Sequence, residues 1–147
     1  MSEEIIIRLA GPQDVTALTR LCAHLGYPTE APLVAVRLEK ILADSGQVVF
    51  VAEHPSSGVI GWVHVMKVIN LESDPYGEIG GLVVDPQCRR GGAGRKLMAA
   101  AEAWSRSQGL YAVRLRSNVL RHEAHLFYQS IGYHNVKSQY TFHKDLN

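Results

Sequence analysis

Between Leu82 and Leu97 the chain reads Leu-Val-Val-Asp-Pro-Gln-Cys-Arg-Arg-Gly-Gly-Ala-Gly-Arg-Lys-Leu. An apolar strand passes through a basic, glycine-rich turn into a helix with apolar periodicity. Exposed amides at a helix start, flanked by Arg89, Arg90, Arg95 and Lys96, suit a phosphate or pyrophosphate group. Gly91, Gly92 and Gly94 let the backbone approach an anion and adopt positive φ without a Cβ penalty. The chemistry implied is the binding of a phosphorylated cofactor; the alternative is a flexible strand-to-helix turn without a ligand. The spacing narrows the choice of cofactor. No Gly-Lys-Ser/Thr occurs, so this is not a Walker loop. Gly92-x-Gly94 is followed by Leu97 where a dinucleotide fingerprint needs its third glycine.

Other residues are suited to proton transfer. Tyr128, in Ala124-x-x-Phe127-Tyr128-x-x-x-Gly132-Tyr133, carries a phenol with an ordinary pKa near 10, fit to donate a proton as a general acid. The alternative is a core aromatic beside Phe127 with its hydroxyl satisfied locally. Glu78 precedes Arg89 by eleven residues on a predicted strand, either as a partly buried base or as a strand-end carboxylate in solvent. His64 and His125 are rival bases, because imidazole titrates near neutrality.

The pattern Arg89-x-x-Gly92-x-Gly94, placed after Val84-Asp85-Pro86, resembles the coenzyme A-binding motif of the GNAT superfamily of N-acetyltransferases. The run from Ala124 to Tyr133 resembles that family's second motif. Arg121 stands where many members carry asparagine, and Asn118 is out of register with it. The resemblance implies acetyl-coenzyme A as cosubstrate, no metal, and direct attack by a primary amine of a small molecule or peptide. It implies that the backbone of Leu82, Val83 and Val84 pairs with the pantetheine arm. Amides from Arg89 or Arg90 through Gly91, Gly92, Ala93 and Gly94 to Arg95 would hold the pyrophosphate. An amide near Val83 would polarise the thioester carbonyl, Tyr128 would protonate the leaving thiolate, and Glu78 would act as base. The acceptor would enter past residues 25–30 and 66–76, where Glu72 and Asp74 can attract a cation and Tyr27 or Tyr76 can stack on it. A second reading is an acyl-coenzyme A sensor that has lost turnover.

The elements that must position these groups emerge from patterning. Residues 5–9 form a β-branched strand. Gly11-Pro12-x-Asp14 opens a helix carrying Val15, Leu18, Leu21, Cys22 and Leu25, and a second helix starts between Thr29 and Pro32. Strands are predicted over 47–53, 59–69 and 78–84, the last weakened by Gly80-Gly81, which suggests a bulge or a close approach. A helix through Trp104, a strand over 111–116, a helix over 121–131 and a last strand over 139–143 complete the order β-α-α-β-β-β-α-β-α-β. That is an α+β (mixed α/β) domain with a mostly antiparallel central sheet flanked by helices, and it is also the GNAT order.

Composition sets the outer bounds. With 147 residues, 46% hydrophobic and 20% charged, residues 1–147 read as one globular domain without linker or repeat. A net charge of +1 argues against a nucleic-acid partner, and no apolar run is long enough for a membrane span. The N-terminus lacks a signal-peptide pattern, so the cytoplasm is the expected compartment. Cys22 and Cys88 do not read as a disulfide framework. Oligomeric state is not legible in the residues; the resemblance allows a homodimer paired through late strands.

Overall fold

The β-branched and alternating runs become strands. Ile6–Leu9 (β1), Gln47–His54 (β2), Gly58–Val68 (β3), Tyr76–Val84 (β4) and Val113–Leu115 (β5) form one sheet in the order β1-β2-β3-β4-β5. The first four are antiparallel, and β5 runs parallel to β4. A parallel neighbour requires a crossover, which the helix Ala93–Ser107 supplies. The computed structural model describes residues 4–147. They divide into two compact units, one ending at Leu115 and one running from Arg116 to Asn147.

In the first unit, Val15–His24 (α1) and Ala31–Leu42 (α2) cover one face of the sheet, and Ala93–Ser107 (α3) covers the other. Leu18, Val34, Leu38, Val49 and Val51 form the core beneath α1 and α2, with Trp62 packed against it. Leu97 lies over Gly61 on the α3 face, where a Cβ would stand 3.2 Å from its Cδ1 and 2.8 Å from the Val83 carbonyl. Leu21, Leu97, Met98, Val63 and Val65 are essentially solvent-free. Each such side chain contributes about 1.5–3 kcal/mol of burial.

Pro12–Asp14 forms a 3-10 turn ahead of α1 rather than its first turn. The reason is Asp14. It is buried, takes both guanidinium ends of Arg8 at 2.8 Å and accepts the Gly11 N–H at 2.8 Å. Arg8 also reaches Glu53 of β2 at 2.7 Å. This clamp ties β1, the turn and β2 together.

In the second unit, His122–Ser130 (α4) ends at Gly132 with φ +99°, and the Tyr133 N–H closes on the Tyr128 carbonyl at 2.9 Å. The expected strand over 139–143 does not form: no ladder pairs with it among the described residues. Tyr140 and Phe142 are 91% and 92% exposed. Apolar alternation marks the capacity to join a sheet, but a strand also needs an edge to pair with. No helix among the described residues is long and apolar enough to cross a membrane.

The Arg8 hydrogen bonds hold the Asp14 carboxyl below its ordinary range. Its stabilisation is therefore complete above the unfolded value near 3.9 and is lost as pH falls through the depressed folded value. Asp14→Ala should destabilise by about 3 kcal/mol at pH 7. Thermal unfolding of variant and wild type should show that gap narrowing towards acid pH.

Candidate active site

The site begins with one residue too many in β4. Gly81 lies opposite His64 and Ile79 lies opposite Val65, so Gly80 has no partner across the ladder. This is the bulge expected at the glycine pair. β5 accompanies β4 only at Gly77, Glu78 and Ile79. Past the bulge, the edge of β4 that faced β5 has no strand beside it among the described residues. The Asp85 N–H donates to the Ile60 carbonyl of β3 at 2.7 Å. By the two-residue alternation of a strand, Val83 also faces β3, while the peptide groups of Leu82 and Val84 face the open edge. The Val83 side chain is buried.

That edge leads into the glycine-rich turn. Pro86–Gly91 is a 3-10 turn capped by Asp85, whose carboxylate accepts the Gln87 N–H at 3.0 Å and Arg20 of α1 at 3.0 Å. The Gln87 bond, with Arg20 adding to it, holds the Asp85 carboxyl below its usual range. Gly92 then turns left-handed (φ +81°, ψ 12°) at the N-cap of α3. The first α-helical bond runs from Lys96 N–H to the Gly92 carbonyl at 3.0 Å. The N–H groups of Ala93, Gly94 and Arg95 precede it and have no partner within the helix. Ala93 is buried, whereas Arg89, Gly91, Gly92, Arg95 and Lys96 are exposed and Gly94 is half-buried. Arg90 lies in the turn by its backbone, and its side chain is outside the described residues. A shallow cavity of about 320 Å³ near the turn is lined by Ile5, His54, Ile60, Gln87 and Cys88, and includes no residue of the bulge.

The opposite, α1-facing side carries the titratable groups. Val49 and Val51 belong to the core under α1 and α2, so their cross-strand partners His64 and Trp62 share that face. A Cβ on Gly80 would stand 2.9 Å from His64 Nδ1, and one on Gly81 would stand 3.4 Å from Leu25 at the end of α1. Glu78, opposite Met66, lies on the same face, half-buried. Glu78, His64, the bulge and Leu25 thus meet on one side of β4. Burial pushes the His64 imidazole below its ordinary value, and its Nε2 lies 2.8 Å from Gln47 Oε1. Sequence reasoning had no signal for that contact, since the residues stand seventeen apart and meet only through the β2–β3 register. Tyr76, offered for stacking on an acceptor, is buried with the Arg114 guanidinium 4.4 Å from its ring centre, so that ring is already covered. Tyr27 is exposed.

In the second unit, Tyr128 packs edge-on against Phe127 and Tyr133, with ring centres 5.4 and 6.2 Å away. Burial raises its phenol pKa, with Arg121 opposing, so it stays protonated at neutral pH. His125 donates to the Asn118 carbonyl at 2.9 Å, and the Asn118 side chain accepts the Leu120 N–H at 2.9 Å. Both residues are engaged in holding the start of α4.

A family model described as the acetyltransferase (GNAT) family matches residues 13–133. The chain belongs to the GNAT acetyltransferase family. The aminoglycoside N(6')-acetyltransferase type 1 of Stenotrophomonas maltophilia is 32% identical over 135 residues, covering 89% of this chain and 87% of that protein. Among solved structures, the aminoglycoside N-acetyltransferase AAC(6')-Iy in complex with coenzyme A superposes with a TM-score of 0.87 at 18% identity, over 98% of this chain and 97% of that one. A GNAT family acetyltransferase of Staphylococcus aureus gives 0.77 at 27% identity, over 95% and 98%. The acetyltransferase moves an acetyl group from acetyl-coenzyme A to an amine.

The left-handed Gly92 gives a direct check on its turn. Nothing lies within 4 Å of its ideal Cβ, so the strain of Gly92→Ala comes from the backbone alone. We expect a loss of about 1–2 kcal/mol in thermal unfolding, with weaker acetyl-coenzyme A binding by calorimetry.

Proposed function

We propose that the acceptor is a primary amine of a small cationic aminosugar of the aminoglycoside kind, attacked directly in a ternary complex. The observation carrying this reading is the Stenotrophomonas relative, which is named for that substrate class and aligns over most of both chains. Glu78 on the bulge face, with Glu72 and Asp74 in the β3–β4 connection, supplies the carboxylates that polyamines attract.

The residues present fit coenzyme A. The open edge of β4 offers Leu82 and Val84 peptide groups to an extended amide-bearing arm, in the manner of an added strand. Val83 supports that edge from within the ladder. The amides from Gly92 to Arg95, with the α3 dipole and the cations of Arg89 and Arg95, suit a pyrophosphate, and Gly91 and Gly92 keep side chains out of its way. When bound, acetyl-coenzyme A supplies an activated thioester. The Leu82 N–H on the free edge is placed to donate to a carbonyl that gains negative charge. Glu78 draws the acceptor ammonium to the bulge and holds it there for deprotonation. Tyr128, on the motif shared with the family, donates the proton to the departing thiolate.

We place the whole chain in one working domain, in the cytoplasm, where Cys22 and Cys88 remain as the free thiols they are here. A homodimer is consistent with the exposed apolar tail of Val136, Tyr140 and Phe142.

Calorimetric titration with acetyl-coenzyme A should show micromolar binding, and coenzyme A release should accelerate with neamine or kanamycin. Binding without release on either amine would leave a lysine peptide, or a sensor without turnover, as the better reading. In Tyr128→Phe, kcat should fall about 100-fold with acetyl-coenzyme A affinity retained. An unchanged kcat removes Tyr128 from the mechanism.

A further inference from the structure

Behind the bulge runs a chain of three polar side chains. Asp44, at the α2–β2 connection, accepts a hydrogen bond from Gln47 Nε2 at 2.8 Å and another from the Gly46 N–H at 2.8 Å. Those bonds hold its carboxyl below the usual range, so it is ionised and can only accept. The Gln47 amide nitrogen must therefore face Asp44, which turns Oε1 towards His64. An amide oxygen also only accepts, so His64 Nε2, 2.8 Å away, carries the ring proton. His64 Nδ1 is left as a bare lone pair, directed at Gly80, where a Cβ would stand 2.9 Å from it. Among the described residues, the charged groups that share this face beside the bulge are Glu78 of β4 and its cross-strand partner Arg114 of β5, with Asp44 behind Gln47. α1 and α2 bring Leu18, Leu25, Val34 and Leu38 to it.

We propose that His64 Nδ1, its tautomer set by the Asp44–Gln47 chain, takes the proton from the acceptor ammonium at the β4 bulge. This rests on the acetyl-transfer reading and divides the work assigned to Glu78. The carboxylate, a weak base, binds and orients the cation. The imidazole, neutral near pH 7, is the better-matched acceptor of its proton. The N–H bond of the ammonium breaks and an Nδ1–H bond forms, giving imidazolium and a free amine. The amine lone pair forms the new C–N bond, the thioester C–S bond breaks and the sulfur takes a proton from Tyr128, while the second N–H proton, shed as the amide forms, returns through solvent to the Tyr128 phenolate. Asp44 and Gln47 act through His64 and are positioning residues.

Gly80 and its bulge gain a second purpose in this arrangement. Any side chain at position 80 would meet Nδ1 and the Met66 methyl. Glycine keeps the lone pair accessible.

The test has two arms on the full-length protein. In 15N NMR of histidine-labelled wild type at pH 7.5, His64 should appear as the Nε2–H tautomer and titrate below pH 6.5. In Gln47→Glu the added carboxylate should raise that titration by about one unit. In the second arm, kcat/KM for neamine should fall on the acid side as His64 protonates. That limb should move to higher pH in Gln47→Glu and disappear in His64→Asn, with a drop of about 100-fold at neutral pH. Acetyl-coenzyme A affinity should be unchanged in both variants. An Nδ1–H tautomer, or an acid limb unmoved in both variants, overturns the proposal while leaving the acetyltransferase reading intact. Failure of folded wild type to bind acetyl-coenzyme A overturns both. The NMR arm decides the tautomer even if neamine is not the acceptor.

Discussion

A strand can satisfy a neighbour on each side only while its register matches both, and β4 stops matching at Gly80. The additional residue keeps the ladder to β3 intact but rotates the segment beyond it, so β5 is lost after Ile79. Everything specific to this site depends on that mismatch. The bulge opens an edge of peptide groups at Leu82 and Val84, and it brings Gly80 and Gly81 against His64, Met66, Trp62 and Leu25. The core underwrites it. Gly61 lets β3 lie within contact of the Val83 carbonyl, and Leu97 and Met98 seal the opposite face.

The glycine-rich turn prolongs the same edge. Asp85 occupies the junction, accepting from the turn through Gln87 and from α1 through Arg20, which also donates to the Val59 carbonyl at 2.9 Å. Strand end, turn and first helix are thereby fixed to one another before any anion arrives. The amides of Ala93, Gly94 and Arg95 then start a helix whose first residue is buried and whose N-cap needs the left-handed region. A turn anchored from behind and open in front is preorganised, so binding does not have to order it.

Much of this was legible in residue types. The glycine pair announced the bulge, Arg89-x-x-Gly92-x-Gly94 announced the helix start, and periodicity located the helices α1 to α4 and the strands β1 to β5 to within a few residues. Three features were not legible, each for a physical reason. The 3-10 turn at Pro12 depends on Asp14 being held by Arg8, which Glu53 of the next strand holds in turn, a set of contacts spanning two strands. The missing strand over 139–143 has the right alternation, but pairing is decided by an available edge, which local sequence does not contain. The Asp44–Gln47–His64 chain crosses a hairpin register that residue spacing does not specify.

The open edge of β4 consists of main-chain donors and acceptors. Peptide groups are common to every residue except proline at its nitrogen, so substitutions at Leu82 or Val84 can change the walls of the cleft without deleting a hydrogen bond from its floor. The face across the strand has the opposite character, since Glu78, His64 and Gln47 present side chains there. Genetic variation therefore falls unevenly on the two sides of one strand. Under the proposed roles, the choice of acceptor can drift through point mutation while the capacity to hold the common donor is inherited nearly intact.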